Sequence, residues 1–475
     1  MWAIEMKHGF SVRFAAVACW MGALVMLAGP LPAGAATAQR PPSGQRWVAT
    51  WAQAMTSNFA VVGPRPTASD VQPVERAPAL RDATLRQAVV VSAGGSTIRI
   101  RLSNYFGREP LVVSSARVAL PASGEAGFDA SATATRPVAF EGRPSVVIQP
   151  GSTVTSDPIS LHVPPLSRVL VSLYFGGTAH LADVHPMEHA TTAFAVRGDA
   201  TGQGSLAGSR DLLAALGMGA VSHIYVLDEI DVLAPVRARG IVAFGDSITD
   251  GAYATAPDKT WPGVFAGLAD GPDGPGSVGV VNMAISGNEL TVDQRGNTAF
   301  GVSGLKRFER DVIDVAGTTD VVVLLGANDL NRGTDPAGYP RGASFGAITN
   351  AYRMLADVAH EHRIRIYIGT VTPFAGFPDP GWYSPAKEST RERVNRWIRT
   401  SGIFDGVIDF SRALAGPYTP SPLAAEQHPL PPGLANACRG DRGLHPNDRG
   451  YAVMGTLAFD KVLHGAAKVS NACHR

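Results

Sequence analysis

The chain has 475 residues, of which 45% are hydrophobic and 17% are charged, and it contains 52 glycines and 35 prolines. This composition excludes an intrinsically disordered chain and predicts many turns between short elements. The formal net charge of +1, without any basic stripe, argues against a nucleic-acid partner and against adsorption to an anionic membrane.

The N-terminal residues 1–38 have the pattern of a signal peptide. Lys7 and Arg13 supply the positive charge, and residues 14–28 form an apolar stretch without any charge. Residues 36–38, Ala-Thr-Ala, offer a cleavage site of small residues. We therefore expect a secreted protein, periplasmic or extracellular.

A membrane anchor is the alternative interpretation of the same segment. The apolar stretch is short for a bilayer span, and Gly29-Pro30 interrupts it, so we expect no stable membrane span. The polar, proline-rich residues 39–45 that follow are predicted to be a flexible leader.

The region after the leader has the pattern of short strands separated by Gly, Pro, Ser and Asn. Residues 97–102 alternate with a period of two, as a strand with one wet face does. Several such strands with few helical stretches predict an all-β sandwich domain over residues 46–235. The predicted strands are residues 85–91, 97–102, 111–118, 145–148 and 168–174.

The periodicity changes near residue 236, where apolar β runs begin to alternate with helix-like stretches. This alternation predicts an α/β domain over residues 236–475, with a parallel sheet covered by helices on both faces. The predicted strands are residues 241–244, 280–283, 321–325, 364–371 and 407–410, and the predicted helices are 261–269, 304–315, 345–360, 387–399 and 449–463.

Three of these strands end in residues suited to acyl-transfer chemistry. The first runs into Gly245-Asp246-Ser247, so that Ser247 begins a helix whose N–H groups face an incoming oxyanion. Gly287 follows the second strand and Asn328 follows the third, and a glycine N–H and an asparagine amide are both good oxyanion donors. Taken alone, each of these residues is more typical of a helix cap or a turn than of a catalytic site.

A serine hydroxyl needs a base at neutral pH, and the base needs a carboxylate that fixes its tautomer. His445 lies in a predicted loop before the last helix, from which it could fold back over the first strand. An isolated loop histidine is more often a surface residue, so the prediction depends on the other residues converging on it.

Four blocks of the α/β region resemble the GDSL/SGNH hydrolase family in their order and their strand-end positions: Gly245-Asp246-Ser247, Gly287, Gly326-x-Asn328-Asp329 and the block from Asp441 to Asn447. The resemblance, which covers residues 237–465, implies Ser247 as nucleophile and His445 as base. It implies an oxyanion hole formed by the Ser247 N–H, the Gly287 N–H and the Asn328 side chain. It also implies a flavodoxin-like domain with a five-stranded parallel sheet.

The upstream region is similar to the β-sandwich segment of secreted family members that resemble xylan-cluster arylesterases. Residues 47–51, Trp-Val-Ala-Thr-Trp, and 101–107, Arg-Leu-Ser-Asn-Tyr-Phe-Gly, carry that similarity.

The acidic residue departs from the family pattern, in which it lies three positions before the histidine. Here the third position back is Arg442, and Asp441 is four back. A one-residue bulge, which Gly443 permits, would make Asp441 the triad acid. The alternatives are a Ser-His dyad or an acid from elsewhere, such as Asp409.

The three cysteines lie in two different parts of the chain. Cys19 lies in the predicted signal peptide, whereas Cys438 and Cys473 remain in the mature chain. Two cysteines in an exported chain predict a disulfide that ties the C-terminal tail to the loop before His445, and two free thiols are the alternative.

A cluster of histidines and acids occupies the second half of the β region: His180, Asp183, His185, Glu188 and His189. The spacings fit no standard metal site, so we predict a loop with solvated polar residues and no metal. A further interpretation is that this loop reaches over the active site and shapes the acyl or alcohol pocket.

Together these features predict a serine esterase that cleaves carboxylic esters through an acyl-enzyme on Ser247 and needs no cofactor. The expected partner is a small-molecule or polysaccharide ester with a short-chain, aryl or carbohydrate acyl linkage, and the oligomeric state is left open. Two alternatives remain: a carbohydrate- or surface-binding protein with an inert hydrolase domain, and an O-acyltransferase that uses a sugar hydroxyl instead of water.

Overall fold

The chain contains two kinds of β-sheet, antiparallel in its first half and parallel in its second. The computed structural model describes them over residues 41–61, 72–73, 76–122, 127–187, 193–216, 222–272, 274, 277–293, 298–331, 343–375, 383–416, 434, 438–441, 443–465 and 473. The predicted signal peptide and Arg442 lie outside the described residues.

Antiparallel strands fill the part of the chain before residue 236. In chain order they are β1 (Gln45–Ala52), β2 (Thr56–Ser57), β3 (Ala60–Val61), β4 (Gln72–Pro73), β5 (Ala79–Val90), β6 (Gly95–Asn104), β7 (Leu111–Val113), β8 (Ser115–Pro121), β9 (Ala130–Pro137), β10 (Val146–Ile148), β11 (Ser152–Thr155), β12 (Ile159–Val163), β13 (Arg168–His180), β14 (Asp183–Met187), β15 (Ala193–Arg197), β16 (Ser222–Tyr225) and β17 (Leu227–Pro235), with one short helix, α1 (Leu212–Ala215).

Two five-stranded sheets make up most of this region. One has the order β1-β17-β6-β11, with β12 also on β6, and the other has the order β15-β5-β13-β8-β9. Apolar side chains of both sheets, such as Ile100 and Leu173, share one buried cluster. The predicted β-sandwich is therefore confirmed, because two sheets bury their inner faces against each other.

The second half contains a parallel sheet with helices on both faces. Its strands are β18 (Arg239–Gly245), β19 (Val278–Asn282), β20 (Thr318–Leu324), β21 (Arg365–Gly369) and β22 (Gly406–Ile408). The helices are α2 (Ser247–Asp250), α3 (Trp261–Asp270), α4 (Gly304–Phe308), α5 (Ala327–Asn331), α6 (Phe345–Glu361), α7 (Pro385–Thr400), α8 (Phe410–Leu414) and α9 (Asp448–His464), with 3₁₀ turns at Pro257–Lys259 and Thr298–Phe300.

The strand order β19-β18-β20-β21-β22 is the flavodoxin-like order, which confirms the predicted fold class. Successive residues of β18 face opposite sides of the sheet: Val242 and Phe244 pack towards α6 and α7, whereas Ile241 and Ala243 pack towards α3 and α9. Because both faces are buried, the strand is an unbroken apolar run instead of an alternating one.

The predicted helix at residues 304–315 differs from the observed one. The α-helical part ends at Phe308, and a π-helical turn, Glu309–Ile313, follows it. Such turns are rare inside helices and occur often beside functional sites, and the apolar periodicity alone does not distinguish them from α-helix.

The two halves contact each other directly. The Ala49 N–H donates to the carbonyl of Ala316 at 2.8 Å, and the Val280 N–H donates to the Ser92 hydroxyl at 2.8 Å. Residues 41–475 form one compact unit. A domain boundary near residue 236, between β17 and β18, stays a prediction.

Cys438 and Cys473 form the predicted disulfide. It lies just before the loop that carries His445. No helix in the described part of the chain is long and apolar enough to cross a membrane.

Candidate active site

Ser247 lies at the carboxyl end of β18, as the first residue of α2. The Asp246 side chain caps this helix by accepting a hydrogen bond from the Ile248 N–H at 3.0 Å. Gly245 precedes it at a point where a Cβ would lie only 2.1 Å from the Thr249 hydroxyl and 2.6 Å from the Leu324 carbonyl oxygen. Only glycine therefore allows the strand to turn into the helix here.

His445 meets Ser247 although 198 residues separate them in the chain. Its Nε2 lies 2.9 Å from the Ser247 Oγ, and its Nδ1 lies 2.6 Å from the Asp441 Oδ2. His445 precedes Asn447, whose side chain caps α9 by accepting a hydrogen bond from the Gly450 N–H. The start of α9 thus places the imidazole over the end of β18.

The four-residue spacing between Asp441 and His445 is accommodated by the backbone. Gly443 has φ +134°, a conformation that favours glycine. The other carboxylate oxygen of Asp441, Oδ1, accepts hydrogen bonds from the N–H groups of Gly443 at 2.8 Å, Leu444 at 2.7 Å and His445 at 3.0 Å. The loop therefore wraps around the carboxylate and points its second oxygen at the imidazole.

The environment of Asp441 keeps it ionised. Burial alone would raise the pKa of this carboxyl, but the hydrogen bond and the charge of His445, together with the backbone N–H groups, outweigh burial and hold its pKa below the ordinary value. An ionised carboxylate beside Nδ1 favours the tautomer that carries its hydrogen on that nitrogen, which is the one a catalytic base needs before it takes the serine proton at Nε2.

Asp409, the alternative acid, is engaged elsewhere. Its carboxylate accepts hydrogen bonds from Arg399 at 2.9 and 2.8 Å and from the Thr370 hydroxyl at 3.0 Å, and it caps α8. Arg399 thus neutralises the carboxylate that the alternative would need at the histidine.

The three predicted oxyanion donors follow strands β18, β19 and β20 at the same edge of the sheet: Ser247 begins α2, Gly287 lies in a loop and Asn328 lies in α5. Gly245 pairs with Leu324 in the register of β18 and β20, and the Ile285 N–H donates to the Gly245 carbonyl at 3.2 Å. The Asn328 Nδ2 donates to the carbonyl oxygen of Asn288, the neighbour of Gly287, at 3.0 Å. The structure therefore brings Gly287 and Asn328 together beside the strand end that carries Ser247.

Arg307 holds these loops together, and the sequence analysis missed it. Its buried guanidinium donates to the carbonyl oxygens of Gly245 at 2.8 Å and Met283 at 2.7 Å, and to the Asn288 Oδ1 at 2.9 Å. Burial lowers its pKa to about 10, so it remains charged at neutral pH. No sequence motif marks this arginine, and its position at the end of α4, just before the π-helical turn, is visible only in the folded chain.

The prediction of a solvated loop at residues 180–189 is wrong for the residues of this segment that the structure describes. His180 ends β13, and Asp183 and His185 belong to β14, both with side chains that are almost completely buried. Glu188 and His189 lie outside the described residues. No group of three or more histidine, cysteine, aspartate or glutamate side chains in the described part of the chain could hold a metal ion.

His185 does not line a pocket, since its side chain is fully buried. Its Nδ1 lies 2.9 Å from the Ala54 carbonyl oxygen and its Nε2 lies 3.3 Å from the Asp250 Oδ1. Asp250 is the last residue of α2, and its other oxygen accepts a 2.6 Å hydrogen bond from the Ser286 hydroxyl. A chain of contacts thus connects the β-sandwich, the helix of Ser247 and the residue before Gly287.

Replacing His185 with alanine is expected to lower the free energy of unfolding by about 2 kcal/mol, because two buried hydrogen-bonded contacts are lost. Because His185 acts on α2 and not on a substrate, kcat should fall by a similar factor for every ester, while the KM ratios between esters stay the same. Denaturant unfolding and kinetics on three esters measure both effects. His180→Ala is the control, since His180 contacts the Ala77 carbonyl and not Asp250. A change in KM confined to one ester would contradict this view.

Comparison with known proteins finds a family model that matches the part of the chain that carries this geometry. Residues 243–453 match the model of the GDSL-like Lipase/Acylhydrolase family. That span contains Ser247, Gly287, Asn328 and the pair Asp441 and His445. None of the curated proteins compared matches the chain.

Several solved structures resemble the chain at low sequence identity. A GDSL-like lipase from Bacteroides thetaiotaomicron is 20% identical, with 47% of this chain and 88% of that chain covered and a TM-score of 0.31. The aryl esterase of M. smegmatis is 18% identical, with 47% and 98% covered and a TM-score of 0.34. A carbohydrate esterase family 2 enzyme plus carbohydrate binding domain from Corynascus thermopiles is 14% identical, with 88% and 98% covered and a TM-score of 0.36. These similarities are too weak to support a function, and the match to the family model concerns residues 243–453 alone.

Proposed function

We propose that this protein, a carboxylic ester hydrolase whose residues 243–453 form a GDSL-like lipase/acylhydrolase domain, cleaves its substrates through an acyl-enzyme on Ser247. The observation that carries the proposal is the chain of two short contacts, 2.9 Å from Ser247 Oγ to His445 Nε2 and 2.6 Å from His445 Nδ1 to Asp441 Oδ2. This is the arrangement that activates a serine hydroxyl as a nucleophile.

The reaction proceeds in two acyl transfers. The Ser247 oxygen attacks the ester carbonyl carbon while His445 Nε2 takes the hydroxyl proton, and the negative charge moves to the carbonyl oxygen. The ester C–O bond then breaks, its electron pair goes to the alcohol oxygen, and His445 returns the proton to that oxygen. Water then attacks the acyl carbon while His445 Nε2 takes its proton, the bond between the acyl carbon and the Ser247 oxygen breaks, the carboxylic acid leaves, and His445 returns the proton to the Ser247 oxygen.

The oxyanion is stabilised by three donors that follow three neighbouring strands of the sheet. The Ser247 N–H lies at the start of α2, and the Gly287 N–H lies on the neighbouring loop. A carboxamide nitrogen carries two hydrogens, and Asn328 uses one of them in its bond to the Asn288 carbonyl, so the second can donate to the substrate. Two further contacts support the proposal, because they hold the segment after Gly287 in place: Arg307 donates to the Asn288 Oδ1, and Asp329 accepts from the Leu290 N–H.

Replacing Asn328 with alanine is expected to lower kcat by about 10²- to 10³-fold, the usual loss for one oxyanion-hole donor. KM should change little, because the bond to the oxyanion forms mainly in the transition state. Steady-state kinetics on phenyl acetate measures the effect. Asn331→Ala is the matched control, since Asn331 lies in the same helix and donates to the Ala327 carbonyl. Equal losses in both variants would assign Asn328 a structural role only.

The compartment we propose is the periplasm or the exterior. The signal-peptide pattern at residues 1–38 supports it, and so does the disulfide between Cys438 and Cys473, since disulfides persist in oxidising compartments. Expression of the full chain followed by N-terminal sequencing of the exported product tests this. Cleavage after residue 38 is the expected result, and an intact N-terminus in the cytoplasmic fraction would overturn it.

Hydrolysis itself is tested with a panel of esters running from acetyl to long acyl chains and including acetylated xylan. We expect kcat/KM above 10⁴ M⁻¹s⁻¹ for at least one of them, in the usual range of enzymes. An absence of turnover on the whole panel, together with retention of the protein on xylan, would instead favour a binding protein with an inert hydrolase domain.

A further inference from the structure

Tyr253 is an exposed aromatic residue that no step of the proposed reaction uses. It lies between α2 and the 3₁₀ turn Pro257–Lys259, six residues after Ser247. Its side chain is 55% exposed, although its two neighbours, Ala252 and Ala254, are buried. A single exposed aromatic residue is ordinary on a protein surface, so the case for Tyr253 depends on what its ring contacts.

The ring of Tyr253 lies against the imidazole of His445. The two ring centroids are 5.5 Å apart and the rings are inclined by 25°, an offset stack. Within the described part of the chain the Tyr253 hydroxyl has no hydrogen-bond partner, so the contact with His445 is one between ring faces and does not depend on the hydroxyl.

The backbone of Tyr253 is held in an unfavourable conformation. Its φ is +68°, in the left-handed region that a bulky residue other than glycine rarely adopts. Two anchors on α9 hold the segment there: the Tyr451 hydroxyl donates to the Ala252 carbonyl at 2.7 Å, and Asp448 accepts from the Thr255 N–H at 2.9 Å. Strained residues that the surrounding structure holds in place occur preferentially at binding and catalytic sites.

The reaction itself brings the leaving alcohol to this ring. The alcohol oxygen must come within hydrogen-bond reach of His445 Nε2 to take its proton. The carbon atoms attached to that oxygen then lie beside the imidazole, where the Tyr253 ring already stacks. A flat face of the alcohol would bury against the exposed tyrosine, whereas a small alkyl alcohol is too short to cover it.

We propose that Tyr253 determines specificity for the alcohol part of the ester, as a platform on which a ring-shaped leaving alcohol stacks while His445 protonates its oxygen. The ring is an aryl group or the apolar face of a pyranose, since both present a flat surface to an aromatic side chain. This inference rests on the proposed acyl transfer and adds the substrate class to it.

The test compares ring and non-ring alcohols with the same acetyl group. The substrates are phenyl acetate, an acetylated methyl xyloside and ethyl acetate, assayed with the wild type, Tyr253→Asn and Tyr253→Phe. Asparagine tolerates the left-handed conformation but has no ring, and phenylalanine keeps the ring. Each variant is judged by its ratio of kcat/KM between a ring ester and ethyl acetate, which removes differences in intrinsic reactivity.

We expect Tyr253→Asn to lower that ratio about ten-fold, because this factor corresponds to the binding free energy of one aromatic contact. Tyr253→Phe should keep the wild-type ratio. Selective loss on phenyl acetate identifies an aryl alcohol, and selective loss on the xyloside identifies a sugar. Tyr105→Asn is the control, since Tyr105 is another half-exposed tyrosine, 45% exposed, for which no contact with His445 is found.

Thermal unfolding separates a platform from a structural role. Asparagine relieves the backbone strain, so Tyr253→Asn should keep the wild-type Tm or raise it by 1–2 °C, as expected for a large chain. Loss of the ratio with an unchanged Tm supports the platform. An unchanged ratio with normal ester turnover overturns this inference alone, whereas no turnover on any ester overturns the proposed function and the inference with it.

Discussion

Replacing Ser247 with alanine is expected to lower kcat by about 10⁶-fold on every ester, because the covalent route is lost entirely. A residual rate of about 10³- to 10⁴-fold over water should remain, since the oxyanion donors and the substrate site stay intact. The fold should tolerate the change, because only the 2.9 Å bond to His445 is removed. Kinetics on phenyl acetate and denaturant unfolding measure the two properties.

Ser411→Ala is the matched control for this variant. Ser411 is also buried in the α/β half, and its hydroxyl accepts a 2.9 Å hydrogen bond from Arg391 instead of contacting His445. Its kcat should stay within a factor of about three of the wild type, as expected for a change outside the reacting groups. If Ser247→Ala kept more than about 1% of the wild-type kcat, another nucleophile would be at work.

Replacing Asp441 with asparagine is expected to lower kcat by about 10⁴-fold, and this result separates a triad from a dyad. The amide oxygen of the new side chain can still accept the three backbone hydrogen bonds that Oδ1 accepts now. The amide nitrogen would then face Nδ1 as a donor, so the imidazole hydrogen moves to Nε2. In that tautomer His445 cannot take the Ser247 proton, although the loop geometry is kept.

Two companion variants complete the measurement. Asp441→Ala should lose a similar factor in kcat and also lose stability, because three backbone N–H groups of the loop lose their acceptor. Asp409→Asn should lose stability through the weakened bond to Arg399 and keep its turnover. Wild-type turnover in Asp441→Asn with a large loss in Asp409→Asn would make Asp409 the acid.

The parallel sheet could be predicted from the sequence because its strands are buried on both faces. Each of the five observed strands overlaps a predicted apolar run, and only the ends differ by a few residues. Local periodicity suffices where the environment is uniform along a strand.

Strand β14 could not be predicted in the same way. Its residues include Asp183, His185 and Pro186, which are poor strand formers. They are held in a strand by pairing with β16 and β2, and their polar groups find partners such as Asp250 that are distant in sequence. Only the folded chain supplies those partners, so the sequence favoured a solvated loop.

The residues of the candidate site also differ in how far the sequence predicts them. Ser247, His445 and Asn328 occur in blocks whose spacing is typical of a family, and the structure brings His445 onto Ser247. The sequence does not decide which residue is the triad acid, because family spacing places it one residue later than Asp441. Whether Asp441 reaches His445 depends on φ at Gly443, which a sequence does not display. Arg307 had no signal at all, because its contact with Gly245 spans 62 residues and belongs to no motif.

The most direct test of the central claim is to treat the protein with a fluorophosphonate probe and map the adduct by mass spectrometry. An activated serine attacks the phosphorus and stays covalently modified. We expect a single adduct on Ser247 that disappears in Ser247→Ala and forms far more slowly in His445→Ala. An unmodified protein, or an adduct on another residue that persists in Ser247→Ala, would contradict it.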